Sequence, residues 1–140
     1  KYLSFVEHLA EAYGDGTFHF GSRQCFAIPG IKYENIDAVN KELKDYLENG
    51  NIQNSVNLPT LVQPWSGVSR LCIIHRNAPG AIASITGVLS KDGVNVANMT
   101  NKSKKDYAYT VVDVDSRIGE SVADTIRALD VVLRVRLLNH

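Results

Sequence analysis

The residues with the most chemical potential stand together at His75-Arg76-Asn77-Ala78-Pro79-Gly80, where an apolar run gives way to a helical pattern. The first N–H groups of a helix lack intrahelical acceptors and lie at the positive end of its dipole. A turn that opens onto a helix therefore favours an anion such as a carboxylate. Gly80 would let a ligand approach the backbone closely, and the Asn77 carboxamide can both donate and accept. Each residue also has an ordinary explanation: Asn77 as an N-cap, Pro79 in a first helical turn, His75 as a satisfied structural histidine. Asn95, in Gly93-Val94-Asn95-Val96, is equally open. It is either bonded to its own backbone at a strand end or an amide reaching across an interface to a ligand.

Other chemistries find little support. The four histidines, His8, His19, His75 and His140, are scattered, so no nucleophile, base and orienter converge. His19 and Arg23 are the only loose residues for catalysis. Cys25 and Cys72 lack CxxC spacing and nearby paired histidines, which leaves no framework for zinc or redox work. Cys72 is expected to be a small buried hydrophobe. Asp113 and Asp115 share a strand face, and without a third ligand a solvated edge is the expected reading. No GxGxxG turn occurs, so no dinucleotide cofactor, metal or catalytic site is expected in this chain.

Fifteen Lys plus Arg balance fifteen Asp plus Glu over 140 residues, 44% of them hydrophobic. Such a chain folds around a core, and it has no net field to draw it to nucleic acid or anionic lipid. No apolar stretch approaches the roughly 18 to 20 residues that span a bilayer, and no charged start leads into a signal-like core, so a cytoplasmic protein is expected.

The elements that must position the turn follow from periodicity. Helical spacing predicts a helix over Lys1 to Tyr13, stopped at Gly14-Asp15-Gly16. A short strand is expected at Thr17 to Phe20 and a loop over Gly21 to Gly30. A second helix is predicted from Glu34 to Glu48, where Ile36, Val39, Leu43 and Leu47 form a stripe and Gly50 caps the end. Asn51 to Pro64 reads as an extended connector and ends a first region, residues 1–64, ahead of a domain at 65–140. In that domain strand Arg70 to His75 precedes helix Pro79 to Lys91. Strand Val94 to Met99, a polar turn Asn101 to Asp106 and strand Tyr107 to Asp115 follow. Helix Gly119 to Asp130 and strand Val131 to Leu138 close the order βαββαβ. Alternation in Tyr107 to Asp115 implies one covered face, with Tyr109 and the Arg134 and Arg136 side open to solvent. The fold class is α+β, a ferredoxin-like sandwich.

The run IIHRNAPGAIASITGVLSKDGVNVANM resembles the ACT-domain signature, in which a strand enters a (His)-x-Asn-x-Pro-Gly turn and the following helix ends at Gly-Val/Ile-Asn-Ile. NKSKKDYAYTVVDVDS, IRALDVVLRVRLL and LKDYLENGNIQNSVNLP are similar to the C-terminal regulatory part of bacterial D-3-phosphoglycerate dehydrogenases. The likeness covers about residues 38–138, and the last of these runs resembles the end of a dehydrogenase domain and its linker. The resemblance implies an amino-acid-binding regulatory module, with L-serine held between two ACT domains by His75, Asn77 and Asn95, and Pro79 and Gly80 shaping the turn. It also implies a homo-oligomer joined edge to edge and feedback on an NAD-dependent active site outside this chain. The chain is then expected to be a fragment, or an ACT unit with a different N-terminal piece. Two rivals remain: a free-standing ACT regulator of another amino acid, and an RNA-recognition motif, which Lys105 to Val112 resembles loosely. Asp106 in place of glycine, Cys72 in place of a stacking aromatic, and zero net charge weigh against the latter.

Overall fold

The computed structural model describes residues 19–20, 26–27, 35–53, 55 and 57–139, the first four as backbone only. The helix expected over Lys1 to Tyr13, the side chains of His19 and Arg23, and His140 lie outside the described residues. β1 (His19–Phe20) pairs antiparallel with β2 (Phe26–Ala27). β2 falls inside the stretch expected to be loop.

α1 (Ile36–Asn49) ends at Gly50, whose left-handed φ of 70° lets its N–H return to the Tyr46 carbonyl. The remaining elements are β3 (Ser69–Arg76), α2 (Ala81–Lys91), β4 (Val96–Lys104), β5 (Tyr107–Val114), α3 (Glu120–Arg127) and β6 (Val132–Asn139). They form one four-stranded antiparallel sheet in the order β4-β5-β3-β6. α2 and α3 pack side by side, with α3 over β6, which is the ferredoxin-like arrangement. β4 is longer than expected. Asn101 to Lys104 enter the ladder opposite β5, and the turn shrinks to Lys105, at φ 56°, and Asp106. A hairpin partner supplies backbone bonds to polar residues that have no periodic signal of their own.

Alternation sorts the side chains into two cores rather than one. On the helix side Leu71, Ile73, Val112, Val114 and Val135 meet Ile85 and Leu89 of α2 and Ala123 and Ile126 of α3. On the opposite side Cys72, Tyr109 and Val111 meet Ile52 and Leu61 from the connector, with Tyr46 of α1 beside them. The connector, expected to be extended and unpacked, instead turns back on itself and packs against the sheet. Ile52 and Leu61 bridge each other, and Leu61 is fully buried. Tyr109, expected in solvent, is 3% exposed and donates to the Gly50 carbonyl at 2.6 Å. Arg136 donates to the carbonyls of Tyr46 and Leu47 instead of standing in water.

Asp113 is also no solvated edge. Its Oδ1 accepts from Arg70 Nε at 2.5 Å, and its Oδ2 accepts from Arg70 Nη2, Gln63 Nε2 and Ser66. Arg70 gives its other donors to the carbonyls of Asn49, Gln63 and Pro64, so all five N–H groups are used. Trp65 stacks its ring on the guanidinium, 4.6 Å from centroid to Cζ.

Cys72 is the buried hydrophobe expected, and burial pushes its thiol pKa up, against smaller opposing effects of the Tyr109 hydrogen bond and the nearby Arg70 and Arg136 charges. Because the thiolate is the reactive form, Cys72 should resist a thiol reagent in the native state and react on unfolding. Peptide mapping by mass spectrometry checks this. Labelling of Cys72 under native conditions as fast as in denaturant would contradict the packing.

Candidate functional site: the strand-to-helix turn

β3 delivers His75 to the helix side of the sheet, 2% exposed, where both ring nitrogens are bonded. Nδ1 meets the Arg76 carbonyl and Nε2 meets Thr110 Oγ1, each at 2.8 Å. Thr110 in turn donates to Asn101 Oδ1 at 2.8 Å. Both ring nitrogens of His75 are thus bonded within the chain, as a structural histidine's would be.

Arg76, Asn77, Ala78, Pro79 and Gly80 are all exposed. Asn77 is not the N-cap. Its N–H goes to the Asp106 carbonyl at 2.8 Å and its Nδ2 to the Lys105 carbonyl at 3.2 Å, which ties the turn to the β4–β5 hairpin. The carboxamide oxygen is left as an acceptor at the surface. Gly80 is the residue that precedes α2, at φ 81°, and nothing lies within 4 Å of where a Cβ would stand. Pro79 lies just outside the helix, in the turn. Ala81 N–H returns to the Ala78 carbonyl and Ser84 N–H to the Gly80 carbonyl, which leaves the intervening first-turn N–H groups oriented along the helix axis. The turn is open, polar and headed by helix donors.

Asn95 is exposed at the other end of α2 and donates Nδ2 to Asp115 Oδ2 at 2.7 Å, while its carbonyl accepts from Asp115 N–H. Asn77 thus sits beside Asp106 and Asn95 beside Asp115, at opposite ends of β5. That is about 25–30 Å along a strand that rises roughly 3.3 Å per residue. One copy of the chain cannot bring His75, Asn77 and Asn95 onto one small molecule. Sequence reasoning missed Thr110 and Asn101. The signal was Thr110 itself, a hydroxyl on the same alternating side as Ala108, Val112 and Val114, which needs a partner when buried.

No group of three or more His, Cys, Asp or Glu that could hold a metal occurs among the described residues, and no helix among them is long and apolar enough to cross a membrane. The sheet face that would stack bases in an RNA-recognition motif is covered here by the connector, with Cys72 and Tyr109 buried beneath it.

The ferredoxin-like unit with this turn is ACT-like: residues 71–134 match the family model described as the AHAS small subunit-like ACT domain. The chain is similar to the C-terminal region of D-3-phosphoglycerate dehydrogenase from Escherichia coli K12, 32% identical over 124 residues, covering 87% of this chain and 29% of that protein. The chain thus spans less than a third of the length of the curated relatives it matches. Residues 1–46 match a different model, the nitrite/sulfite reductase ferredoxin-like half domain. A 45-residue stretch is 44% identical to one of the subunits of anaerobic sulfite reductase from Salmonella typhimurium, covering 32% of this chain and 13% of that protein. Among solved structures, the ACT domain from GTP pyrophosphokinase of Chlorobium tepidum matches 50% of this chain and 95% of its own at 20% identity, with a TM-score of 0.45.

Proposed function

We propose that residues 65–140 bind a free amino acid, L-serine foremost, at the His75 to Gly80 turn between two copies of the chain. Ligand binding would regulate an enzyme of the phosphoglycerate dehydrogenase type, whose NAD-dependent active site lies elsewhere. The observation that carries this is the open turn at the head of α2, where Asn77 and the helix N–H groups present donors and acceptors around a glycine with empty space before it. Similarity to the dehydrogenase supports the ligand class.

The separation of Asn77 and Asn95 supports a site shared by two copies. α2 is 11 residues long, about 16 Å, and the two asparagines flank its ends. A two-fold axis beside α2 sets the head of one helix against the tail of its copy, which brings Asn77 of one chain to Asn95 of the other. β4 is the outer strand on the side of α2, because α3 occupies the β6 side. Pairing two β4 edges satisfies their unpaired ladder groups and lays the two α2 helices antiparallel, an isologous contact with two equivalent sites. A ligand shared by both copies favours the joined state, and the coupling to a distant active site is a difference in affinity between two arrangements, typically about 1–3 kcal/mol.

Calorimetry with the standard amino acids tests this. Saturable binding of L-serine that Asn77→Ala and Asn95→Ala each weaken at least about tenfold is the expected result. Silence toward every amino acid would overturn it. A second reading, an ACT unit serving a different enzyme and a different amino acid, is favoured by the sulfite-reductase-like first 46 residues. Preference for another amino acid over serine in the same titration selects it.

A further inference from the structure

We propose that Asn101 is a further ligand-recognition residue of this site, and that His75 is a positioning residue that acts through it by way of Thr110. The inference rests on the amino-acid-binding reading and adds to it a group on β4, outside the turn.

His75 carries two ring nitrogens, and the fold uses both. The Arg76 carbonyl can only accept, so Nδ1 carries a proton toward it. Nε2 faces Thr110 Oγ1, which has a single proton to give. Two arrangements of the chain of bonds are consistent. When Thr110 donates to Asn101 Oδ1, its oxygen is left as the acceptor facing His75 and the NH2 group is the free end of the Asn101 amide. When the Asn101 amide is reversed, its NH2 donates to Thr110, the hydroxyl donates to His75 Nε2, and the Asn101 carbonyl is the free end. The buried relay therefore decides whether the exposed end of Asn101 offers a donor or an acceptor.

The place of that end is what makes it a recognition group. Asn101 is exposed, pairs with Thr110 across the ladder, and lies on the helix-facing side of the outer strand. Two antiparallel β4 strands about a two-fold axis bring the start of one, next to Asn95, toward the second half of the other, which holds Asn101. The chemical class that fits is a zwitterionic α-amino acid. Its carboxylate takes the NH2 arrangement and its ammonium the carbonyl arrangement. A plain apolar residue at position 101 would leave Thr110, buried on the helix side of β5, with His75 alone.

The test is calorimetric titration of the whole chain with L-serine and the other standard amino acids, on the native chain and on Asn101→Ala, Thr110→Val, Thr110→Ser, the Asn101→Ala/Thr110→Val pair and Asn77→Ala. Asn101 is exposed, so its replacement leaves the cores intact. The expected result is a loss of about tenfold or more in affinity for Asn101→Ala and for Thr110→Val, no further loss in the pair, and recovery in Thr110→Ser, which keeps the hydroxyl. The His75 ring nitrogen signals in NMR should move on adding amino acid to the native chain and stay still in Asn101→Ala, a response that packing alone does not produce. If Asn101→Ala binds like the native chain while Asn77→Ala fails, this inference falls and the reading of the turn stands. If the native chain binds no amino acid, both fall.

Discussion

Asp113→Ala is expected to lower the unfolding free energy by about 3–5 kcal/mol, because it leaves the Arg70 guanidinium charged and unpaired in a fully buried site. The loss should exceed that of an ordinary surface acid because Asp113 also receives Gln63 and Ser66, and so fastens the connector to the sheet. The effect has a sign in pH. Burial alone would raise the Asp113 pKa, but the hydrogen bonds from Arg70, Gln63 and Ser66 outweigh it and hold the carboxyl below the ordinary range. A carboxylate depressed in this way contributes stability that is complete above its unfolded value of about 3.9 and is lost as pH falls through the lowered folded value. Urea unfolding should therefore show a wide gap between the native chain and Asp113→Ala at neutral pH that narrows in acid below about pH 4. A gap below about 1 kcal/mol at neutral pH would mean that the pair is not buried as found.

Leu61→Ala should cost about 2–5 kcal/mol, the range for deleting a fully buried leucine and leaving a cavity. The same change in a solvated linker costs almost nothing, so the measurement separates a tether from a structural layer. Leu61 closes the second core with Ile52, Cys72, Tyr109 and Val111, and its backbone pairs with Ile52 in both directions, at 2.8 and 2.9 Å. Thermal or urea unfolding of the variant checks it, and a change within about 0.5 kcal/mol would return residues 51–64 to the status of a linker.

The sandwich was legible in sequence because its helices and central strands carry strict periods: Ile85 and Leu89 at helical spacing, Leu71 and Ile73 alternating along β3. What was not legible depends on contacts between residues far apart in the chain. Nothing local in Asn51 to Pro64 says that Leu61 lies under Val111, and its prolines and amides read as a solvated linker. The same contact explains Tyr109 and Asp113, which the alternation placed on the correct side of β5 while giving no sign that the connector covers that side. The turn was found from residue types alone, since a glycine and an asparagine at a strand-to-helix junction are a local signal. The N-cap assignment of Asn77 failed because Gly80, in a left-handed conformation, starts the helix three residues later. Asn101 was read as part of a turn, and only its pairing with Thr110 shows it to be strand.

A ligand held between two copies, Asn77 from one and Asn95 from the other, is tested most directly by mixing two inactive variants. Asn77→Ala and Asn95→Ala, each titrated alone with L-serine, should bind poorly. Mixed in equal amounts and allowed to exchange subunits, they should regain native affinity at one site in each mixed dimer, roughly a quarter of the native number of sites. A mixture that stays as weak as its components, or variants that each bind serine normally, would contradict a site shared across the two-fold axis.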